Sequence, residues 1–328
     1  MMMPSGKTPL VTVITVTYNS AKYVRDAIES VLHQNYEDIE YIIGDDHSTD
    51  DTWDIIGTYK DDRIRAYRNP SNMREYPNRN KALSMASGKY VVFIDGDDMI
   101  YPHGLMYMVT MLEAFPDSAL AIVGYECNHI IYPMEITPEE IYKFQFFGRG
   151  FLSSSMVGNL FRTSVLKDLG GFPTNLVFGD YYIRLKICQR YNCLIINGNP
   201  VWARDTPGQA SSYVFTTKGY IETLTLNREF IGSPDCPLNP SDQEKALRNI
   251  FRPTARKIVK SLLKLKWQDA GMIMRSLGWK LSDVNSYLFS PQDFSYKNKY
   301  NSTHLLRMDL SKNPFSKNHK SIGNGSSK

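Results

Sequence analysis

Tyr90-Val91-Val92-Phe93-Ile94-Asp95-Gly96-Asp97-Asp98 carries an apolar, strand-forming run straight into three carboxylates within four positions. A short apolar run bounded by a turn reads as a buried strand, so the acids stand at its carboxyl end. Two carboxylates about 5 Å apart repel by roughly 1 kcal/mol in water and roughly 3 kcal/mol at an effective dielectric near 20. Crowding them at a strand end is costly unless a cation sits there. Hard oxygen donors favour Mg²⁺ or Mn²⁺, ions that keep coordination positions open for substrate phosphates. A surface turn whose acids cap the following helix accounts for these residues equally well.

Working outward from this run, apolar segments alternate with helical patterns, the sign of a mostly parallel α/β sheet flanked by helices. Strands are expected at 10–17, 39–45, 64–67, 90–95 and 120–124. Over 20–34, Val24, Ile28, Val31 and Leu32 recur at helical spacing, with Ser20 placed to cap the start. A second helix is expected after Ser48, carrying Trp53, Ile55 and Ile56. In open sheets of this kind ligands bind beyond the carboxyl ends of the strands, where Thr17-Tyr18-Asn19, Asp45-Asp46 and Asp95-Gly96-Asp97-Asp98 all fall. Gly148-Arg149-Gly150 has no further glycine at 153, and no Walker-type glycine loop occurs. Phosphates are therefore expected on a metal held at 95–98.

Composition narrows the class. A chain of 328 residues with 42% hydrophobic content can bury a substantial core, in one large domain or two unequal ones. No apolar stretch reaches the length of a membrane span, and 1–7 lacks the hydrophobic core of a secretory signal, so a cytoplasmic protein is expected. Cys127, Cys188, Cys193 and Cys236 show no metal-ligand spacing and read as reduced packing residues. A net charge of +4 leaves any electrostatic function to local clusters, and nucleic acid is not an expected partner.

The motifs, taken in series, resemble the family 2 glycosyltransferases, enzymes of the GT-A fold that move a sugar from a nucleotide-diphosphate donor. Val13-Ile14-Thr15-Val16-Thr17-Tyr18-Asn19 is similar to the family's opening strand, and Ser30-Val31-Leu32-His33-Gln34 to its Ser-Val-Leu-x-Gln helix end. Asp45-Asp46-His47-Ser48-Thr49-Asp50 resembles the Asp-Asp-x-Ser-x-Asp segment. Arg79-Asn80 and Ala86-Ser87-Gly88-Lys89-Tyr90 resemble the stretch before the metal motif, and Asp95-Gly96-Asp97-Asp98 fits the Asp-x-Asp signature. The resemblance covers about the first 110 residues in order and spacing.

It implies a site in which Thr17, Tyr18, Asn19, Asp46, Arg79, Asp95 and Gly96 bind the nucleotide, and Asp95, Asp97 and Asp98 serve Mn²⁺ or Mg²⁺. Tyr18 would stack on the base, unless it is a core tyrosine. Asp46 would accept from a uracil N–H, with helix capping compatible alongside. Arg79 would offer its planar fork to the base or a diphosphate oxygen, a surface ion pair being the plainer reading. Phe178-Gly179-Asp180-Tyr181-Tyr182-Ile183-Arg184-Leu185 resembles the stretch holding the family's general base, which makes Asp180 that base; helix capping is its alternative. Two positions depart from the pattern. Gly179 stands where many relatives have Glu, and in Trp202-Ala203-Arg204-Asp205-Thr206-Pro207-Gly208-Gln209 a threonine, Thr206, replaces the expected histidine.

Farther on, Ser241-Asp242-Gln243-Glu244 has the form of a capping box, opening a segment in which Leu247, Phe251, Ile258, Leu262 and Leu265 recur at helical spacing. Pro253 is expected to kink or divide that helix. Its other side is basic, with no acid from Ala246 to Gln268. Such a face either lies on an anionic membrane, through 245–266, or is solvated while the helix packs on the main domain. After about Asp283 the polar sequence suggests irregular structure.

The expected organisation is a glycosyltransferase domain at 1–215, with a nucleotide-sugar half at 8–125 and an acceptor half at 126–215. A basic helical extension at 216–285 and a polar tail at 286–328 follow. The expected activity is metal-dependent, inverting transfer, most readily from a UDP-sugar, to a glycan or lipid-linked acceptor in polysaccharide biosynthesis. The reaction would be cytoplasmic, on or near the inner membrane face. A non-catalytic nucleotide-sugar or glycan-binding protein of the same fold is the rival, and a sugar-phosphate nucleotidyltransferase a weaker one, since 15–20 lacks that class's glycine- and arginine-rich loop.

Overall fold

The computed structural model describes residues 10–295 except 125–131, 149, 154, 199, 207–212 and 214. Cys127, Arg149, the Pro207-Gly208-Gln209 part of the second motif, and the tail beyond 295, with Tyr296 and Tyr300, therefore lie outside the described residues.

The first half alternates as the sequence suggests: β1 (Val11–Thr17), α1 (Val24–Leu32), β2 (Ile39–Asp45), α2 (Thr52–Gly57), β3 (Ile64–Arg68), α3 (Glu75–Met85) and β4 (Tyr90–Phe93). Next come β5 (Met99–Ile100), α4 (Gly104–Ala114), β6 (Ser118–Val123), β7 (Met134–Ile136), α5 (Pro138–Phe147), β8 (Leu160–Arg162) and α6 (Thr163–Asp168). The chain continues through α7 (Gly179–Cys188), β9 (Asn192–Ile196) and β10 (Val201–Trp202), then α8 (Thr217–Gly232), α9 (Pro240–Leu263), α10 (Trp267–Leu277) and α11 (Leu281–Leu288).

Eight strands form one sheet in the order β3-β2-β1-β4-β8-β6-β9-β7, and β10 pairs with β5 in a separate ribbon. Strands β3, β2, β1 and β4 are mutually parallel. Antiparallel β8 joins them to the parallel pair β6–β9. Every residue of β1 and β4 is buried, as expected of strands covered by helices on both faces; β4 is an unbroken run, and the threonines of β1 are buried along with its aliphatic residues. One apolar cluster fills each face of the sheet region, around Phe93, Phe161 and Ile183 on one side and Val13, Ile43 and Leu105 on the other.

Local details depart from expectation. Ser20 does not cap α1: its hydroxyl turns to the Tyr18 carbonyl, and α1 begins after Tyr23 with no side-chain cap. The start of α9 is set two residues earlier than Ser241, because Asn239 accepts from the Asp242 N–H (2.9 Å) and Pro240 fits the first turn. Pro253 does not divide α9, which runs unbroken to Leu263; the Asn249 carbonyl, deprived of its helical donor, faces Gln292 Nε2 at 3.5 Å. Helix α11 extends past Asp283 to Leu288, where irregular structure was expected.

α9 is the centre of the C-terminal helices. It contacts α5, α8, α10 and α11, and a third apolar cluster gathers Leu224, Phe251, Ile258, Ile273 and Val284. Packed in this way, α9 turns its apolar side to the neighbouring helices and leaves Arg256, Lys257 and Lys260 exposed.

Candidate active site

The parallel register sets the site. Thr17 pairs with Asp45 at the carboxyl ends of β1 and β2, and the Asp46 N–H continues the ladder to the Thr17 carbonyl (2.8 Å). β4 adds its neighbour, the Ile94 N–H bonding the Ile14 carbonyl (3.0 Å), so Asp95 to Asp98 follow onto the same edge. All three polar clusters named from the sequence therefore meet.

Asp46 is buried, and both its oxygens are in use. They accept from Asn69 Nδ2 (2.9 Å), the Met73 N–H (2.9 Å) and the Arg74 N–H (2.8 Å), which fixes the turn leading into α3. Arg74 takes the left-handed conformation there, with φ +72°. Asn19, at φ +51°, accepts from the Thr49 N–H (2.8 Å) and so ties the end of β1 to the loop after β2. Asp45 is fully buried between the Ser48 N–H (3.1 Å) and Arg68 Nε (3.2 Å). Tyr18 is 48% exposed, which removes the core alternative and leaves its ring open to a flat ligand. A Cβ at Gly96 would come within 2.6 Å of Thr17 Oγ1, so only glycine lets the acidic turn approach β1 this closely.

Arg79 is 3% exposed and is not a surface ion pair. Its guanidinium binds Glu75 (Nε at 3.0 Å) and Asp95 (Nη2 at 2.7 Å) and lies over the Phe93 ring. Burial raises the Asp95 carboxyl to about 6, against the pull of Arg79 and with Glu75 and Asp97 adding to the rise. Asp98, 4% exposed, rises to about 7, first through burial and then through Asp95. Asp98 accepts from the Arg204 N–H (2.8 Å), and Asp97 accepts from Thr206 Oγ1 (2.9 Å). Thr206 thus meets the acidic turn where the motif expects histidine. Arg204 also donates to the Asp97 carbonyl (2.9 Å) and to Asp26 (3.0 Å), between the rings of Tyr23 and Trp202.

The donor chemistry of this turn fits a hard divalent ion. Among the described residues no three acids converge into a closed metal cage. One or two carboxylates, chiefly Asp97 and Asp95, with phosphate oxygens completing the shell, is the arrangement such ions accept.

Asp180 is the second residue of α7, and its carboxylate accepts from Arg184 Nη2 (2.8 Å), a side chain only 1% exposed. Phe178, not Asp180, occupies the capping position. Tyr76 joins this residue to the donor edge: its hydroxyl donates to the Val177 carbonyl (2.8 Å) and accepts from the Asp180 N–H (3.3 Å), and it directly follows Glu75. A Cβ at Gly179 would lie 2.9 Å from the Tyr76 ring. The glutamate common at this position has no room here.

Sequence reasoning missed Glu75, Tyr76, Asn69 and Glu222, whose carboxylate accepts from the Val177 and Phe178 N–H groups (both 2.7 Å). The pairs Glu75–Arg79 and Asp180–Arg184 were visible as opposite charges four residues apart.

Comparison with known proteins bears on the family and the fold. Residues 12–169 match the model of glycosyl transferase family 2. This stretch belongs to the family. Over 89 residues the chain is 46% identical to the Escherichia coli UDP-Glc:alpha-D-GlcNAc-diphosphoundecaprenol beta-1,3-glucosyltransferase WfaP, a match covering 27% of this chain and 36% of WfaP. Over 94 residues it is 39% identical to the Campylobacter jejuni GalNAc(5)-diNAcBac-PP-undecaprenol beta-1,3-glucosyltransferase, covering 27% of this chain and 30% of that protein. The chain thus matches only about a third of the length of these curated relatives. Its fold is that of S. aureus TarS 1–349, solved with UDP-GlcNAc, at a TM-score of 0.64 and 20% identity over 85% of this chain and 81% of that one. The Pyrobaculum calidifontis mannosyltransferase PcManGT, in complex with GDP-Man and Mn²⁺, matches at 0.56 and 18% identity over 90% of this chain and 88% of its own.

Proposed function

We propose that the protein is an inverting, metal-dependent glycosyltransferase that moves a sugar from a UDP-sugar to a hydroxyl of a lipid-linked or growing glycan at the inner membrane face. The observation that carries this reading is a set of unmet polar atoms. Thr17 Oγ1, Asp45 Oδ1 and Arg79 Nη1 are buried without a hydrogen-bond partner among the described residues, and all three belong to the carboxyl edge of the sheet. Each such atom costs about 1–3 kcal/mol, so a fold that leaves three together is poorly satisfied until a polar ligand arrives.

In this reading 1–215 is the transferase domain and 216–285 a helical extension. Tyr18 stacks on the base, and Asp46 and Arg79 recognise its edge and the diphosphate through Thr17, Asn19 and Gly96 of the same wall. Asp95, Asp97 and Asp98 hold Mn²⁺ or Mg²⁺, which when bound would offset charge on the departing diphosphate. Asp180, oriented by Arg184 and by Tyr76, takes the proton from the acceptor hydroxyl as the new bond to C1 forms. The UDP-sugar named for WfaP and the UDP-GlcNAc bound to TarS support the choice of nucleotide, and the undecaprenol carriers named for two relatives support the acceptor class.

Calorimetric titration of UDP, GDP and CDP, with Mn²⁺ and with chelator, tests the donor side, and Asp180→Asn tests the chemistry. UDP should bind tightly only with metal, and Asp180→Asn should lower turnover by about 10²–10⁴-fold with donor affinity unchanged. Absence of nucleotide binding by folded protein would replace this reading with a binding module, and full activity of the variant would remove Asp180 as the base.

A further inference from the structure

Helices α9 and α10 end in the same capping motif, built from different residues. At the end of α10, Gly278 takes φ +68°, its N–H bonds the Arg275 carbonyl (3.2 Å), and the Trp279 N–H bonds the Met274 carbonyl (2.9 Å). At the end of α9, Leu265 takes φ +57°, its N–H bonds the Leu262 carbonyl (3.0 Å), and the Lys266 N–H bonds the Ser261 carbonyl (2.9 Å). Glycine adopts this left-handed position freely, whereas a residue with a side chain is strained in it. After Gly278 the chain turns inward, Trp279 stacking on Tyr287 at 4.9 Å. Leu265 instead is 74% exposed, between Leu263 at 80% and Trp267 at 62%. A strained corner here sends three large apolar side chains into solvent, alternating with exposed Lys264 and Lys266.

Folding gains nothing from that arrangement, and the surrounding charge shows what does. Arg256, Lys257 and Lys260 are exposed on α9 beside the corner, and no acid occurs from Ala246 to Gln268. The next residue, Asp269, accepts from Thr217 Oγ1 (2.9 Å), which ties the start of α8 to this corner. Two residues before Thr217 stands Phe215, 89% exposed, and Lys218 follows it, also exposed. No helix among the described residues is long and apolar enough to cross a membrane.

We propose that the α9–α10 corner docks on an anionic lipid surface, with Leu263, Leu265, Trp267 and Phe215 entering the interfacial layer and the lysines meeting the headgroups. Alternating leucine and lysine beside a tryptophan matches the boundary between acyl chains and charged headgroups, and the acid-free basic face supplies the complementary charge. The docking also faces the chemistry. Tyr213 lies with its ring 5.8 Å from that of Phe178, and Glu222 of α8 holds the loop just before Asp180. On the transferase reading proposed above, a lipid-held acceptor would thus arrive on the Asp180 side; the docking itself does not depend on that reading.

Flotation of the full chain with vesicles, without nucleotide or acceptor, provides the test. Wild type should float with vesicles of one part phosphatidylglycerol to two parts phosphatidylcholine, less so in high salt, and stay behind with phosphatidylcholine alone. Leu265→Gly relieves the strained backbone, so it should melt no lower than wild type while its partitioning falls by roughly tenfold. Trp267→Ser should fall similarly. Wild type that ignores the anionic vesicles, or Leu265→Gly that floats unchanged, would overturn the proposal. So would a concentration-dependent dimer that Leu265→Gly dissolves in the absence of any vesicle binding. Because no donor is present, failure here is separable from failure of the transferase reading, which the nucleotide titration decides.

Discussion

Glu40 and Asp98 are carboxylates gripped by backbone N–H groups at opposite edges of one sheet, and their surroundings pull them in opposite directions. At the amino edge, Glu40 of β2 accepts from Thr12 Oγ1, the Ser87 N–H and hydroxyl, and the Gly88 N–H. Burial alone would raise its carboxyl, but these hydrogen bonds outweigh it and hold the group below the usual range. At the carboxyl edge, burial dominates and nearby acids add to it, so Asp98 rises to about 7. A carboxylate that closes a strand pairing is surrounded by donors. One that stands among other acids carries a cost in the free protein, and a bound cation would return it.

Arg79→Met should have the largest effect of the variants that probe this contrast. It removes the buried cation between Glu75 and Asp95 and leaves both acids uncompensated at an edge already overcharged. Because the Glu75 and Asp95 side chains are 40% and 30% exposed, the cost should fall below that of a fully buried pair, at about 2–3 kcal/mol, to be read as a lower denaturant midpoint with unchanged slope. A loss below about 1 kcal/mol would mean that Asp95 is not held by Arg79 in solution.

Legibility in the sequence follows the same division. β1, β2 and β4 were readable because burial on both faces leaves them rich in β-branched and aromatic residues, with only Thr12, Thr15 and Glu40 set among the apolar ones, and the acids at the ends of β2 and β4 stood out against those runs. α3 was not, since its buried face includes Asn78 and Arg79 beside Tyr76, Ala82 and Leu83, and no apolar period survives. β5 and β10 are two residues each, too short to show alternation. The family resemblance located Asp180, but its link to the donor edge runs through Tyr76, 104 residues away, and such a contact writes nothing into local sequence. Leu265 escaped for a related reason. Its apolar spacing places it on the buried stripe of α9, whereas the helix stops at Leu263 and the residue turns out.

Asp98→Asn should shift stability the other way, by a smaller amount. The amide keeps an oxygen for the Arg204 N–H while removing a charge buried beside Asp95. Without metal or nucleotide the variant should gain about 1–2 kcal/mol at neutral pH, read by thermal melting. On the function proposed above, Mn²⁺ with UDP should stabilise the variant less than wild type. A destabilised Asp98→Asn would show that the acidic turn is satisfied by the fold itself, and the contrast with Glu40 would collapse.

Glu40→Gln gives the smallest change and the sharpest one, because its sign depends on pH. A carboxyl whose folded value lies below its unfolded value of about 4.3 contributes stability that is fully present above the unfolded value and is lost as pH falls through the folded one. Glutamine keeps one acceptor oxygen but loses the charge that strengthens the bonds from Ser87 and Gly88, a cost of about 1 kcal/mol at neutral pH. The gap between wild type and variant should therefore stay constant from pH 8 to about 5 and close below about 4. Urea midpoints measured across that range provide the check. A gap that widens on acidification would mean Glu40 is protonated in the folded state more readily than in the unfolded chain, which would place the amino edge in the same class as the carboxyl edge.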